Sequence, residues 1–162
     1  MGYYPEEFEK EFIRRTKVNL KFIQVAHAND TNDEDVYEVT QFINSMLGLL
    51  VFPKEAFYKL IDNKKTLDTY RQDGWEIPVP TIGNKAKWNN LQQYVNHMRN
   101  GITHNNIDFS SNDNKEVSGM TIFDQYTKKS PKNWEVAFTI EQLIKFTEKM
   151  AKYFLSLQDA SR

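Results

Sequence analysis

The sequence predicts a mainly α protein, a bundle of about five helices that carries a small antiparallel β insertion before the last one. Three observations lead there. Apolar side chains recur at helical spacing in long stretches near both ends and in the middle of the chain. The alternation that marks strands is confined to a region from about residue 107 to residue 138. At 162 residues the chain suits one domain with a real core, so 1–162 is read as a single unit, and no repeat, low-complexity run or linker divides it.

The totals exclude more than they assign. With no cysteine, disulfides, thiolate nucleophiles and cysteine zinc sites drop out together, which fits a reducing cytoplasm. The opening MGYYPEEFEKEF lacks a basic segment followed by an apolar one, so no signal peptide is evident. The longest apolar run, residues 46–52, is far below a membrane span, and the expected location is cytoplasmic with no membrane partner. A net charge of −1 announces no polyanion partner. Basic groups outnumber acidic ones between residues 51 and 99, but a solvated surface explains that surplus as well as a nucleic-acid footprint does.

Residues 5–28 read as the first helix. Pro5 suits a first turn, Glu6, Glu7 and Glu9 suit the positive end of the dipole, and Phe8, Phe12, Leu20 and Ile23 share a face with Thr16 and His27. His27 reads as a histidine at the core edge, and Arg14, Arg15 and Lys17 as the solvated side. Residues 29–35 form a turn leading into a cap. Asp33, Glu34 and Asp35 invite a metal reading, but the glycine and closing glutamate of a calcium loop are missing, so no metal site is assigned.

Residues 36–52 are apolar on most sides and predict a buried helix, either the central rod or part of a subunit interface. Gly48 lowers its helix propensity by roughly 1 kcal/mol against alanine, which a close-packed neighbouring backbone would explain. Pro53 ends that helix and starts another over 54–61. From 62 to 84 the helical signal lapses into turn and extended signals, Asp73-Gly74 and Ile77-Pro-Val-Pro80 among them. An irregular loop of that length fits either a flap over a site or a wrapped surface segment anchored by Trp75. Farther on, 117–123 and the alternating Trp134, Val136 and Phe138 look like strands, a small sheet read as an ornament between helices. A last helix over 140–157 packs through Leu143, Phe146, Met150, Tyr153, Phe154 and Leu157.

The stretch from Trp88 to His104 holds the chemistry. At about 100° per residue, Trp88, Leu91, Val95, Met98 and Ile102 form an apolar stripe, while Gln93, His97, Asn100 and His104 gather on the opposite side. That polar side reads as free for contact with a second copy. Arg99 lies between the two groups and about 140° from His104, so one copy aims guanidinium and imidazole in different directions. A two-fold axis brings two of each around one cleft. Such a set suits phosphodiester cleavage in RNA. Histidine exchanges protons near neutral pH, and arginine offers a charged fork to phosphate oxygens. Asparagine adds neutral hydrogen bonds, and no metal or other cofactor is needed when the nucleophile is the substrate's own hydroxyl. The Arg-to-His spacing arises by chance often enough to be weak evidence alone, and a histidine near a helix C-terminus also simply suits the dipole.

The segment MRNGITH, residues 98–104, resembles the signature of the HEPN superfamily: Arg, a polar residue, a few variable positions, then His, in a late helix of an α-bundle. YEVTQFINSMLGLLVFPKE, residues 37–55, is similar to the second helix of small plasmid- and phage-type HEPN proteins, and FEKEFIRRTKVNLKFI, residues 8–23, looks like their opening helix. The resemblance implies a HEPN-like bundle, a homodimer, and metal-independent ribonuclease activity leaving a 2′,3′-cyclic phosphate, often in toxins or phage defence. By motif match Arg99 and His104 become the catalytic pair with Asn100 as polar partner. His97, Asn105 and Gln93 are separate candidate substrate contacts. The expected partners are RNA, a second copy and an antitoxin-like protein. The alternative is a non-catalytic HEPN module that binds a nucleotide or a protein partner, because family membership does not fix chemistry. A third reading makes the Arg and His surface decoration on a structural bundle.

Overall fold

The computed structural model describes residues 8–29, 38–51 and 58–159. Within them the chain is mainly α with one small sheet. In order come α1 (Phe8–Asn29), α2 (Glu38–Val51), the short α3 (Leu67–Gln72), α4 (Leu91–Thr103), strands β1 (Ile107–Ser111), β2 (Val117–Asp124) and β3 (Trp134–Thr139), and α5 (Ile140–Asp159). Single 3-10 turns stand at Tyr58–Leu60 and Lys85–Lys87. The acidic turn with Asp33, Glu34 and Asp35 lies outside the described residues. So does most of the expected helix over 54–61, whose described part is the 3-10 turn.

The helices bury the faces their periodicity dictates. α2 inserts Phe42, Met46, Leu49 and Leu50, and α5 inserts Leu143, Phe146, Met150 and Phe154. On α1 the deepest residue is Ile13, with Thr16 behind it and Phe12 and Leu20 partly buried, so the packed stripe is displaced from the Phe8–Ile23 line toward Ile13. Arg14 and Arg15 stay on the outer side, within reach of Glu11. Gly48 faces no backbone among the described residues, contrary to expectation. A Cβ there would meet the end of the Phe12 ring at 2.8 Å.

The segment between α2 and α4 is more structured than its turn signals suggest. Thr66 caps α3 by accepting from the Thr69 N–H, Leu67 and Tyr70 are buried, and Gly74 at φ +77° follows the Asp73 cap. Six residues are too few to display a helical period, and so the element is invisible in the sequence pattern. Of the two readings of this stretch, the wrapped segment is the one found. The Trp75 ring packs edge-on against Tyr70, Phe146 and Tyr153, with centroids 5.2, 6.1 and 6.0 Å away. Arg71 Nε donates to the Ile77 carbonyl at 2.8 Å, and the Tyr94 hydroxyl donates to the Pro78 carbonyl at 3.1 Å. Thr81 N–H then donates to Glu135 O at 2.9 Å, laying the chain along β3.

The sheet runs β1-β2-β3, antiparallel throughout, with Ile107 opposite Ile122 and Asp124 opposite Trp134. It is no ornament. Met120, Ile122, Trp134, Val136 and Phe138 are all buried in the same core as α4 and α5, which makes the sheet a packing layer. Trp134 meets Tyr94 of α4 edge-on at 5.3 Å. Gly101 of α4 lets the helix come close to β2, since a Cβ there would lie 2.5 Å from Ile122 Cγ2 and 2.7 Å from the Phe123 carbonyl. This contact overturns the expectation that the polar side of α4 is open. β2 lies against α4, and the carboxylate at its end takes up polar groups of the helix.

Candidate functional site

α4 begins later than its apolar stripe suggests. Asn84 caps the 3-10 turn at Lys85–Lys87, Trp88 is buried after it, and Asn90 starts α4 by accepting from the Gln93 N–H at 2.9 Å. The other end is a Schellman closure. His104 is the cap and donates its backbone N–H to Asn100 O at 3.1 Å. Asn105 adopts φ 55°, its N–H bonds Ile102 O, and the Asn106 N–H reaches back to Gly101 O at 2.8 Å. A positive φ favours asparagine over most residues, which accounts for the type at position 105. The buried Asn106 then accepts from the Phe123 N–H, tying the helix end to β2.

Three of the expected residues join one network through a residue that periodicity did not reveal. Asp124, buried at the end of β2, accepts at Oδ2 from His97 Nδ1 at 2.8 Å and from Asn100 Nδ2 at 3.2 Å. The amide orientation of Asn100 follows from charge: its NH2 must face the carboxylate, which leaves Oδ1 outward as an acceptor. Arg99 Nη2 donates to that oxygen at 2.6 Å. The chain of contacts therefore runs carboxylate, amide, guanidinium. Arg99 also lines a narrow hollow with Leu49, Leu50, Tyr58, Ile61, Val95, Asn96 and Phe154. Burial pushes the Tyr58 hydroxyl pKa up there, against the downward pull of the Arg99 charge.

His97 is turned inward. Its ring stacks on Trp134 with centroids 5.3 Å apart and planes 13° apart, and Nε2 faces the Lys87 carbonyl at 3.3 Å. Both ring nitrogens thus already face oxygen acceptors. Gln93 sits farther back, eleven residues or about 16 Å along the helix from His104, and its buried Oε1 has no partner among the described residues. Neither is brought beside His104. Asn105 is exposed next to it.

His104 itself is exposed at the helix end and lines an open cleft of about 220 Å³ with Asn106, Gln125, Tyr126, Thr127 and Lys128. Arg99 and His104 therefore face different hollows of one chain, as their angular separation on a helix requires. Asp124 and the cleft wall after β2 leave no mark in the motif because they lie twenty or more positions beyond it. A polar residue closing an apolar-alternating strand was their only local signal.

A family model described as HEPN pEK499 p136 matches residues 1–161 of the chain. No curated protein and no solved structure matches it.

Proposed function

The chain belongs to the HEPN family described as HEPN pEK499 p136, and on that premise we propose that it is a metal-independent endoribonuclease acting as a homodimer. The observation that carries this reading is the arrangement at the end of α4. A guanidinium is oriented by the Asn100 amide, and an exposed imidazole opens onto a cleft at the same helix terminus. Five residues separate the two along the helix, about 7.5 Å of axial rise.

In this reading an isologous contact sets the His104 of each copy beside one phosphate. One imidazole takes the proton of the RNA 2′-hydroxyl, and that oxygen attacks phosphorus. The P–O5′ bond breaks, and the second imidazole, protonated, gives its proton to the departing 5′-oxygen. The products are a 2′,3′-cyclic phosphate and a 5′-hydroxyl. Arg99 binds the non-bridging oxygens as negative charge gathers there, and Asn100 holds the guanidinium in place. Purified wild-type protein is expected to cut RNA with EDTA present, while His104→Ala and Arg99→Ala retain the native circular dichroism spectrum and do not cut. Cleavage at the wild-type rate by either variant ends the assignment.

The separation of Arg99 and His104 into different hollows favours a second reading, a non-catalytic module that binds RNA, a nucleotide or a protein partner. A purified protein that retains RNA or nucleotide without ever cutting it distinguishes that case.

A further inference from the structure

The loop that follows β2 has no part in the chemistry above, yet it forms one wall of the cleft at His104. Its exposed tip presents Tyr126, 83% exposed, with Thr127 and Lys128 beside it. An aromatic ring that far out of the core gains nothing from burial. Tyr126 makes no ring contact among the described residues, and no carboxylate among them pairs with Lys128.

The wall is held in shape from both ends. Asn133 N–H donates to the Asp124 carbonyl at 2.9 Å across the base of the loop. Gln125 Nε2 reaches Asn106 Oδ1 at 3.5 Å, and a tight turn is closed by Ser130 N–H to Thr127 O at 2.9 Å and by the Thr127 and Ser130 hydroxyls at 2.8 Å. The ring and the ammonium are therefore presented by a braced turn. They share a 220 Å³ cleft with an imidazole and two side-chain amides.

We propose that this cleft is a nucleotide subsite for single-stranded RNA, in which Tyr126 stacks on an unpaired base, Lys128 contacts the backbone phosphate, and His104 stands at the adjoining phosphodiester. The inference rests on the ribonuclease reading for the role of His104, but the binding it describes does not need cleavage. A base stacks on an exposed aromatic ring only when it is unstacked from its neighbours, so the subsite selects loops and single strands over duplex. The loop is a specificity element: it sets where on the RNA the helix-borne groups are delivered.

The test uses the full-length chain and a fluorescein-labelled, unstructured ribo-oligonucleotide of mixed sequence. Affinity is measured by anisotropy in the His104→Ala background, so that the probe stays intact. Tyr126→Ala is expected to weaken binding about tenfold or more, Tyr126→Phe to keep it, and Lys128→Ala to weaken it and flatten the salt dependence by about one phosphate contact. The same probe annealed to its complement is expected to bind far less well. Unchanged affinity for Tyr126→Ala, or equal affinity for duplex, overturns the subsite. The outcomes separate from those for catalysis. Tyr126-dependent binding by a wild type that never cuts keeps the subsite and removes the nuclease. Efficient cutting with Tyr126→Ala indistinguishable from wild type in KM and kcat does the reverse.

Discussion

Asp124 holds two donors on one carboxylate oxygen, both from α4, and its removal would take that acceptor from His97 Nδ1 and Asn100 Nδ2. Asp124→Ala is expected to lower the unfolding free energy by about 1–3 kcal/mol, measured as a shift of the urea midpoint at constant slope. Asp124→Asn keeps the shape and an accepting oxygen, so its loss should be smaller. In the ribonuclease reading Asp124→Ala also lowers cleavage, because the Asn100 amide that orients Arg99 is no longer fixed, and Asp124→Asn lowers it less. At this scale helical spacing puts His97, Asn100 and His104 on one side of the helix, and the resemblance of MRNGITH to the HEPN signature is what singles out Arg99, Asn100 and His104. The sequence hid Asp124, since a hydrogen bond across 24 or 27 positions leaves no periodic trace. His97 illustrates the converse: its angular position on α4 was right, but only the strand lying against that side turns its ring toward Asp124 and Trp134.

The meeting of α4 with β2 depends on the glycine inside the MRNGITH segment. Gly101→Ala would drive a methyl into Ile122 and the Phe123 carbonyl, and backbone cannot swing aside as a side chain can. We predict a loss of about 1–3 kcal/mol by chemical denaturation, beyond the roughly 1 kcal/mol that alanine gains in helix propensity. Gly48→Ala is the control, expected near neutral, because the obstructing atom is the far end of the Phe12 ring. Strands β2 and β3 were legible, as 117–123 and as the alternating Trp134, Val136 and Phe138. The helix α3 was not, because its stability lies in the Thr66 cap and in packing by Leu67 and Tyr70 rather than in a repeating pattern.

β3 carries a pH dependence of its own. The Glu135 carboxyl is held below its ordinary value by the hydrogen bond from Lys132, and also by that from Thr81. A depressed folded-state pKa contributes stability that is present above the unfolded value of 4.5 and is lost as pH falls through the lower folded value. Glu135→Gln is therefore expected to narrow the difference between urea midpoints at pH 7 and pH 3. An unchanged difference would show that the pair does not act on folding.

For the whole molecule, the order of the long helices α1, α2, α4 and α5 and the position of the sheet follow from periodicity, while the sheet's role as a core layer does not. Alternation marks a strand, but says nothing of which helix the strand covers. Among the described residues no helix is long and apolar enough to cross a membrane. The proposed mechanism requires two copies, so light scattering should return twice the 19.2 kDa chain mass at micromolar concentration. A strictly monomeric active enzyme would refute the shared-cleft geometry.

The most direct measurement is the chemistry of the cut ends. A mixed RNA pool is incubated in EDTA with wild-type protein and, in parallel, with His104→Ala. The wild type is expected to leave 2′,3′-cyclic phosphate and 5′-hydroxyl termini, and the variant to leave the RNA intact. Ends bearing a 3′-hydroxyl, or the same fragments from both proteins, would contradict the proposed mechanism.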